Sequence, residues 1–171
     1  MGNNTLKPGP TGIALSAALA VAIALGAPSP AQAGDGAEAA RERVDAFFEA
    51  LAAEDRETAL AQLTPEAMLH APYNPNGDAT DEGVRSFPAA LYVAGAMATY
   101  DNLVFEDRSY SMADDSRTVW LEAEGRLRVA ETGSPYENRY VFKFELDGGK
   151  IAAITEYTNV VTLARDGVTA R

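Results

Sequence analysis

Two apolar runs meet at Asp147-Gly148-Gly149, and their patterns differ. Before the turn, Tyr140, Phe142, Phe144 and Leu146 alternate with Val141, Lys143 and Glu145, the period of a strand with one buried face. After it, Ile151 to Val161 is rich in β-branched residues and carries one carboxylate, Glu156, in its middle. The turn residues tolerate positive φ, so the pair reads as a hairpin. A charged, unpaired acid inside a half-buried strand is strongly unfavourable, so Glu156 calls for a partner or a role.

Upstream, Ala40, Val44, Phe47, Phe48 and Leu51 recur at three- and four-residue spacing and predict a helix from Ala39, after a flexible lead-in over Gly34–Glu38. Glu54-Asp55 breaks it, and a shorter helix is expected over Thr58–Leu63 with Leu60 and Leu63 inward. Thr64-Pro65-Glu66 has the form of a helix cap followed by proline at the first helical position, with a short strand over Ala67–Pro72 to follow. Tyr73–Ala79 reads as a loop, and Thr80 as the cap of a third helix with Val84, Phe87 and Leu91 inward. Pro88 should kink or end a helical segment there. Strands are expected over 102–111, 118–129, 136–146 and 150–163. Helices, one strand, another helix and four antiparallel strands define an α+β domain in which helices cover one face of a curved sheet.

Composition changes the picture at the N-terminus. Lys7 is the only charge before Asp35, Ile13–Leu25 is a small-and-apolar run, and Ala31-Gln32-Ala33 has a small-x-small cleavage pattern. Residues 1–33 therefore read as an export signal and 34–171 as a single domain, periplasmic or secreted. The run is shorter than the ~20 residues of a membrane span. Past residue 33 the chain has 13 basic and 25 acidic residues, a net charge of −12, which disfavours nucleic acid and anionic lipid as partners. No membrane association is expected once the signal is removed. With 0 cysteines, the fold has no disulfides to rely on.

The phrases Leu69–Gly77 (LHAPYNPNG) with Glu82-Gly83, and YENRYVFKFELDGGKIAAITEYTN at 136–159, resemble the SnoaL-like branch of the nuclear transport factor 2 superfamily, including phenazine-biosynthesis relatives of the PhzA/PhzB type. The resemblance covers nearly all of 37–165. It implies a cone-shaped barrel, a bent antiparallel sheet wrapped around helices, with an apolar cavity open at one end. It also implies a pocket glutamate at Glu156, and often a homodimer through the outer sheet face. Members include isomerases, cyclases, hydrolases and dehydratases alongside binding proteins, so fold alone leaves catalysis open.

Counting by two from Ile154 places Ile154, Glu156 and Thr158 on one face and Tyr157 on the other. A register one residue off reverses this and turns Glu156 outward. Inside an apolar cavity its pKa would rise, making it a general acid or base near neutrality. His70, the 1 histidine of the chain, could assist proton transfer or serve as a structural hydrogen-bonding group. Tyr73 could donate to a ligand oxygen or pack under its loop. Phe48, Leu91, Asn138, Tyr140, Phe142, Phe144 and Ile154 are the expected ligand-binding wall.

On the preceding strand Trp120, Glu122, Glu124, Arg126 and Arg128 share the outer face, where Trp120 and Tyr157 suit a homodimer contact. No zinc set, phosphate loop or nucleophile elbow is present in the sequence, and no cofactor or metal is called for. Three readings stand. One is a cofactor-independent isomerase, cyclase or dehydratase acting on a small apolar molecule. The others are a non-catalytic module that sequesters such a ligand, and a structural or partner-binding dimer.

Overall fold

The computed structural model of the chain describes residues 30–73, 85–113 and 117–165. The elements are helices α1 (Pro30–Ala52), α2 (Arg56–Ala61), α3 (Ala89–Thr99) and α4 (Val160–Arg165), with strands β1 (Leu63–Ala71), β2 (Arg85–Pro88), β3 (Val104–Met112), β4 (Thr118–Arg128), β5 (Pro135–Asp147) and β6 (Lys150–Thr158). The strands form one curved, open sheet in the order β2-β1-β6-β5-β4-β3. The α+β class is as expected. The sheet is mixed, however: β1 runs parallel to β6, and the other pairings are antiparallel.

Alternation sets the two faces. On β4, Val119, Leu121, Ala123, Gly125 and Leu127 are buried while Trp120, Glu122, Arg126 and Arg128 are exposed. On β5 the residues from Tyr136 to Leu146 alternate in the same way. Val44, Phe47, Phe48 and Leu51 of α1 cover the inner face, with Phe47 and Phe48 edge-on to Phe144 at 6.3 and 5.7 Å and Phe48 5.2 Å from Phe142. Each such side chain removed from water contributes about 1.5–3 kcal/mol. The two residues Gly148 and Gly149 close the β5–β6 hairpin with φ of 56° and 76°, the conformation a two-residue turn of this twist demands.

Several expected boundaries move. The first helix begins at Pro30, not Ala39, since proline fits a first helical position. The second helix is capped by Asp55, whose carboxylate accepts from the Thr58 backbone N–H at 3.0 Å, and it ends before Leu63. Thr64-Pro65-Glu66 is strand, not a helix start. Leu63 pairs with Ile151, and Pro65 sits where the β1–β6 register slips between Leu63 and Met68, a place where a sheet tolerates proline. Phe87 lies on β2 opposite Leu69, so the third helix starts only after Pro88. The expected Thr80 cap and Val84 lie outside the described residues. The last strand stops at Thr158, because Asn159 accepts from the Val161 and Leu163 N–H groups and starts α4.

Candidate active site

One irregularity in β6 decides where Glu156 points. Glu145 pairs with Ala153 and Leu146 with Ile151, leaving Ala152 as an extra residue. That bulge lets both Ile151 and Ile154 face the core although they are three apart in sequence. Beyond it, Glu156 and Thr158 face inward beside Phe142 and Tyr140, while Tyr157 faces outward. Glu156 thus borders an inner cavity of about 400 Å³, within the size range of small-molecule sites.

Helix α3 supplies the facing wall. Leu91, Tyr92, Gly95, Ala96 and Thr99, followed by Tyr100, line the cavity at helical spacing. Gly95 and Ala96 keep that wall thin. From the sheet come Phe105, Leu127, Tyr136 and Tyr140, and from the β1–β2 edge Ala71, Arg85 and Phe87. Tyr92 hydrogen-bonds Glu156. Burial pushes the Glu156 carboxyl up to about 7, while the bond from Tyr92 pulls it part of the way back. Burial, with the nearby Glu156 charge, raises the Tyr92 and Tyr140 phenols well above their usual range, so both are donors at neutral pH.

Asn138 works from behind the wall. Its Nδ2 donates to Tyr136 Oη at 2.8 Å and to Thr158 Oγ1 at 2.9 Å, and its Oδ1 accepts from the Arg139 N–H at 2.8 Å. Because Tyr136 Oη accepts from Asn138, its own proton is free to be donated elsewhere. The Tyr136 ring stacks on Tyr100 at 5.7 Å. Gly125 gives Tyr140 its place: a Cβ there would come within 2.6 Å of the Tyr140 ring.

The expected wall coincides only in part with the residues that line this cavity. Tyr140 and Leu91 line the cavity, Leu91 at its open side with 62% exposure. Phe48, Phe142, Phe144 and Ile154 do not. Their interlocked rings and buried chains fill the adjoining core and leave no room for a ligand. Asn138 acts on wall residues and does not border the cavity. His70 is on the opposite face of β1 from Leu69 and Ala71, where its Nδ1 is 2.7 Å from Ser86 Oγ. Tyr73 is 61% exposed and lies 5.9 Å from Tyr157 on the outer face. Neither joins Glu156. Sequence reasoning missed Tyr92, Tyr100, Tyr136 and Arg85. Tyr136 shares the parity of Asn138 and Tyr140 and was there to be found, whereas Tyr92 needed the correct helix start.

Among the described residues, no group of three or more His, Asp or Glu is placed to hold a metal ion. No helix among them is long and apolar enough to cross a membrane.

A curved open sheet with helices on its inner face and a cavity between them is the NTF2-like fold. A solved NTF2-like protein from Burkholderia xenovorans superposes with a TM-score of 0.58 at 22% identity, covering 78% of this chain and 97% of that one. A phenazine biosynthesis-related protein from Pseudomonas aeruginosa gives a TM-score of 0.66 at 19% identity, over 84% and 88% of the two chains. A provisionally assigned polyketide cyclase from Xanthomonas campestris pv. campestris gives 0.59 at 20%, over 75% and 96%. Residues 44–154 match the SnoaL-like domain, and the chain belongs to that family. In sequence, it is 38% identical over 64 residues to phenazine biosynthesis protein PhzB 2 of Pseudomonas aeruginosa, a match spanning 36% of each chain. Glu156 lies two residues past the end of the family match.

Proposed function

We propose that this domain is a cofactor-independent acid–base catalyst of the isomerase or cyclase kind, acting on a small, largely apolar molecule with Glu156 as the proton-transfer group. The observation that carries this reading is a buried carboxyl, hydrogen-bonded by Tyr92, in a cavity lined by further tyrosines, a setting that pushes its pKa up to about 7. In an allylic proton shift, the Glu156 carboxylate would take a proton from carbon next to a carbonyl. A tyrosine O–H would hydrogen-bond the oxygen as negative charge develops there, and Glu156 would return the proton to the far carbon of the conjugated system. Tyr136, with its proton uncommitted, is suited to that donation. The family relatives in phenazine biosynthesis and the provisional polyketide cyclase support this class of chemistry.

The test uses 3-cyclohexen-1-one, whose isomerisation to the conjugated ketone is followed by ultraviolet absorbance. Wild type should exceed buffer, with a rate rising through pH 7 as Glu156 ionises, and Glu156→Gln should fall to the buffer rate. Equal rates in wild type and Glu156→Gln would refute the assignment. Binding of the probe without any acceleration would favour the sequestering module instead.

Export and assembly remain part of this proposal. The signal-like segment lies almost wholly outside the described residues, and intact-mass measurement from the native envelope should find a chain starting near Gly34. Trp120 and Tyr157 stack at 6.1 Å on the outer face, with the Lys143–Glu145 pair on the neighbouring strand opposite Trp120 and the Arg139–Glu124 pair further along the same face. An apolar centre with a charged rim supports a homodimer there, and light scattering should report twice the protomer mass.

A further inference from the structure

The β1 register places a cation in the same row as the acid. Ala71 pairs with Arg85 on one side. On the other, Leu69 pairs with Ile154 and His70 with Thr155, which brings Ala71 level with Glu156. Arg85, Ala71 and Glu156 all line the cavity, so they form one row across its floor. Two strand spacings separate the outer members, about 10 Å between backbones. The residue between them has the smallest side chain that still defines a face. Arg85 lies over the Phe87 ring at 5.2 Å, and among the described residues it has no carboxylate partner.

We infer that the ligand carries a carboxylate, received by Arg85 at one end of this row, while the reacting carbon lies at the other end beside Glu156. The inference deepens the acid–base reading and rests on it for the role of Glu156. A planar guanidinium matches a carboxylate with two parallel hydrogen bonds, and its place over the Phe87 ring sets that binding end beside an aromatic face. The short Ala71 side chain leaves the floor between the two groups flat. A separation of about 10 Å between backbones, shortened by both side chains reaching inward, suits one six-membered ring between carboxylate and reacting carbon. The protein's own charge of −11 opposes long-range capture of anions. A monoanion held by a local cation inside an apolar cavity is therefore favoured over a polyanion. The role of the row is to orient: a carboxylate anchored at Arg85 would leave only one edge of the ligand facing Glu156.

The test compares benzoate with benzamide, which have the same shape and differ in charge, by titration calorimetry on wild type, Arg85→Met and Arg85→Lys. Wild type should bind the acid at least about tenfold more tightly than the amide. Arg85→Met, which keeps an apolar stem, should remove that preference while leaving amide binding within about twofold, which also reports an intact cavity. Arg85→Lys should keep part of the preference. Equal affinity for the two probes in wild type would overturn the carboxylate assignment and leave the Glu156 reading standing. A preference that survives Arg85→Met would overturn the role of Arg85. Binding of neither probe would overturn the carboxylate assignment together with the cavity on which the catalytic reading depends.

Discussion

Two carboxylates of this molecule each take a hydrogen bond from a tyrosine, and their pKa values move in opposite directions. Asp45 on α1 accepts from Tyr110 Oη and from Arg108 at 2.8 Å, with Arg41 3.5 Å away. Burial alone would raise its pKa, but those hydrogen bonds and the two guanidinium charges outweigh burial and hold it below the usual carboxylate value. Glu156 has burial and a single tyrosine, and it rises to about 7. What separates them is the guanidinium. Arg108 reaches Asp45 because a bulge at Asp107, with φ of 49°, swings β3 so that Arg108 turns inward over the Phe48 ring at 5.2 Å. A bulge at Ala152 turns Glu156 into a cavity where the arginine on the floor, Arg85, lies two strands away along the same row. The same device thus makes a structural ion pair at one place and a titratable acid at another.

The largest way to break this contrast is Glu156→Gln. It should lower turnover of a responsive substrate by about 10²–10⁴-fold, measured by steady-state kinetics. It should also stabilise the protein at higher pH. The folded pKa of Glu156 lies above the ordinary 4.5, so its favourable neutral state is intact below pH 4.5 and is lost as pH rises through 7. Urea unfolding should show the variant more stable above pH 7, by up to about 3 kcal/mol, and equal to wild type near pH 4.

Asp45→Asn should act in the opposite sense. It leaves half-buried Arg108 without its carboxylate, and should destabilise by about 2 kcal/mol at pH 7. Because the Asp45 pKa is depressed, the wild-type contribution is present above the ordinary 3.8 and disappears as pH falls through the folded value. The gap between variant and wild type in urea melts should therefore close in acid. Turnover should be unaffected in the folded variant.

Gly125→Ala forces the Tyr140 ring away from β4, where it stacks on Phe142 at 5.5 Å and meets Phe105 edge-on at 5.4 Å. A destabilisation of about 1–3 kcal/mol is expected, with weaker binding of any cavity probe. The smallest effect belongs to Tyr92→Phe. It removes the one hydrogen bond that favours the ionised form, so the inflection of the rate profile should move alkaline of pH 7 with little change in stability.

Sequence patterning carried the sheet well, because β4 and β5 alternate without interruption from Val119 to Leu127 and from Tyr136 to Leu146. It failed where pairing overrides local preference. Thr64-Pro65-Glu66 carries a helix-start signature, yet the partner strand at Ile151 draws it into the sheet. Glu156 was legible only by counting from Ile154; counting from Ile151 crosses the bulge and gives the opposite face. His70 alternates with buried Leu69 and Ala71, so strict parity would have sent it outward despite its chemistry. The place of Tyr92 depends on where α3 begins, and Pro88 starts that helix where the sequence suggested an end.

Whether Glu156 is a buried, titratable acid is read by a carbon-13 NMR titration of its side-chain carboxyl in the unliganded protein, with Glu156→Gln supplying the assignment. The midpoint should lie near 7 and move upward in Tyr92→Phe. A midpoint near the ordinary 4.5 that ignores Tyr92→Phe would contradict this, and Glu156 would then have no claim to be the proton-transfer group.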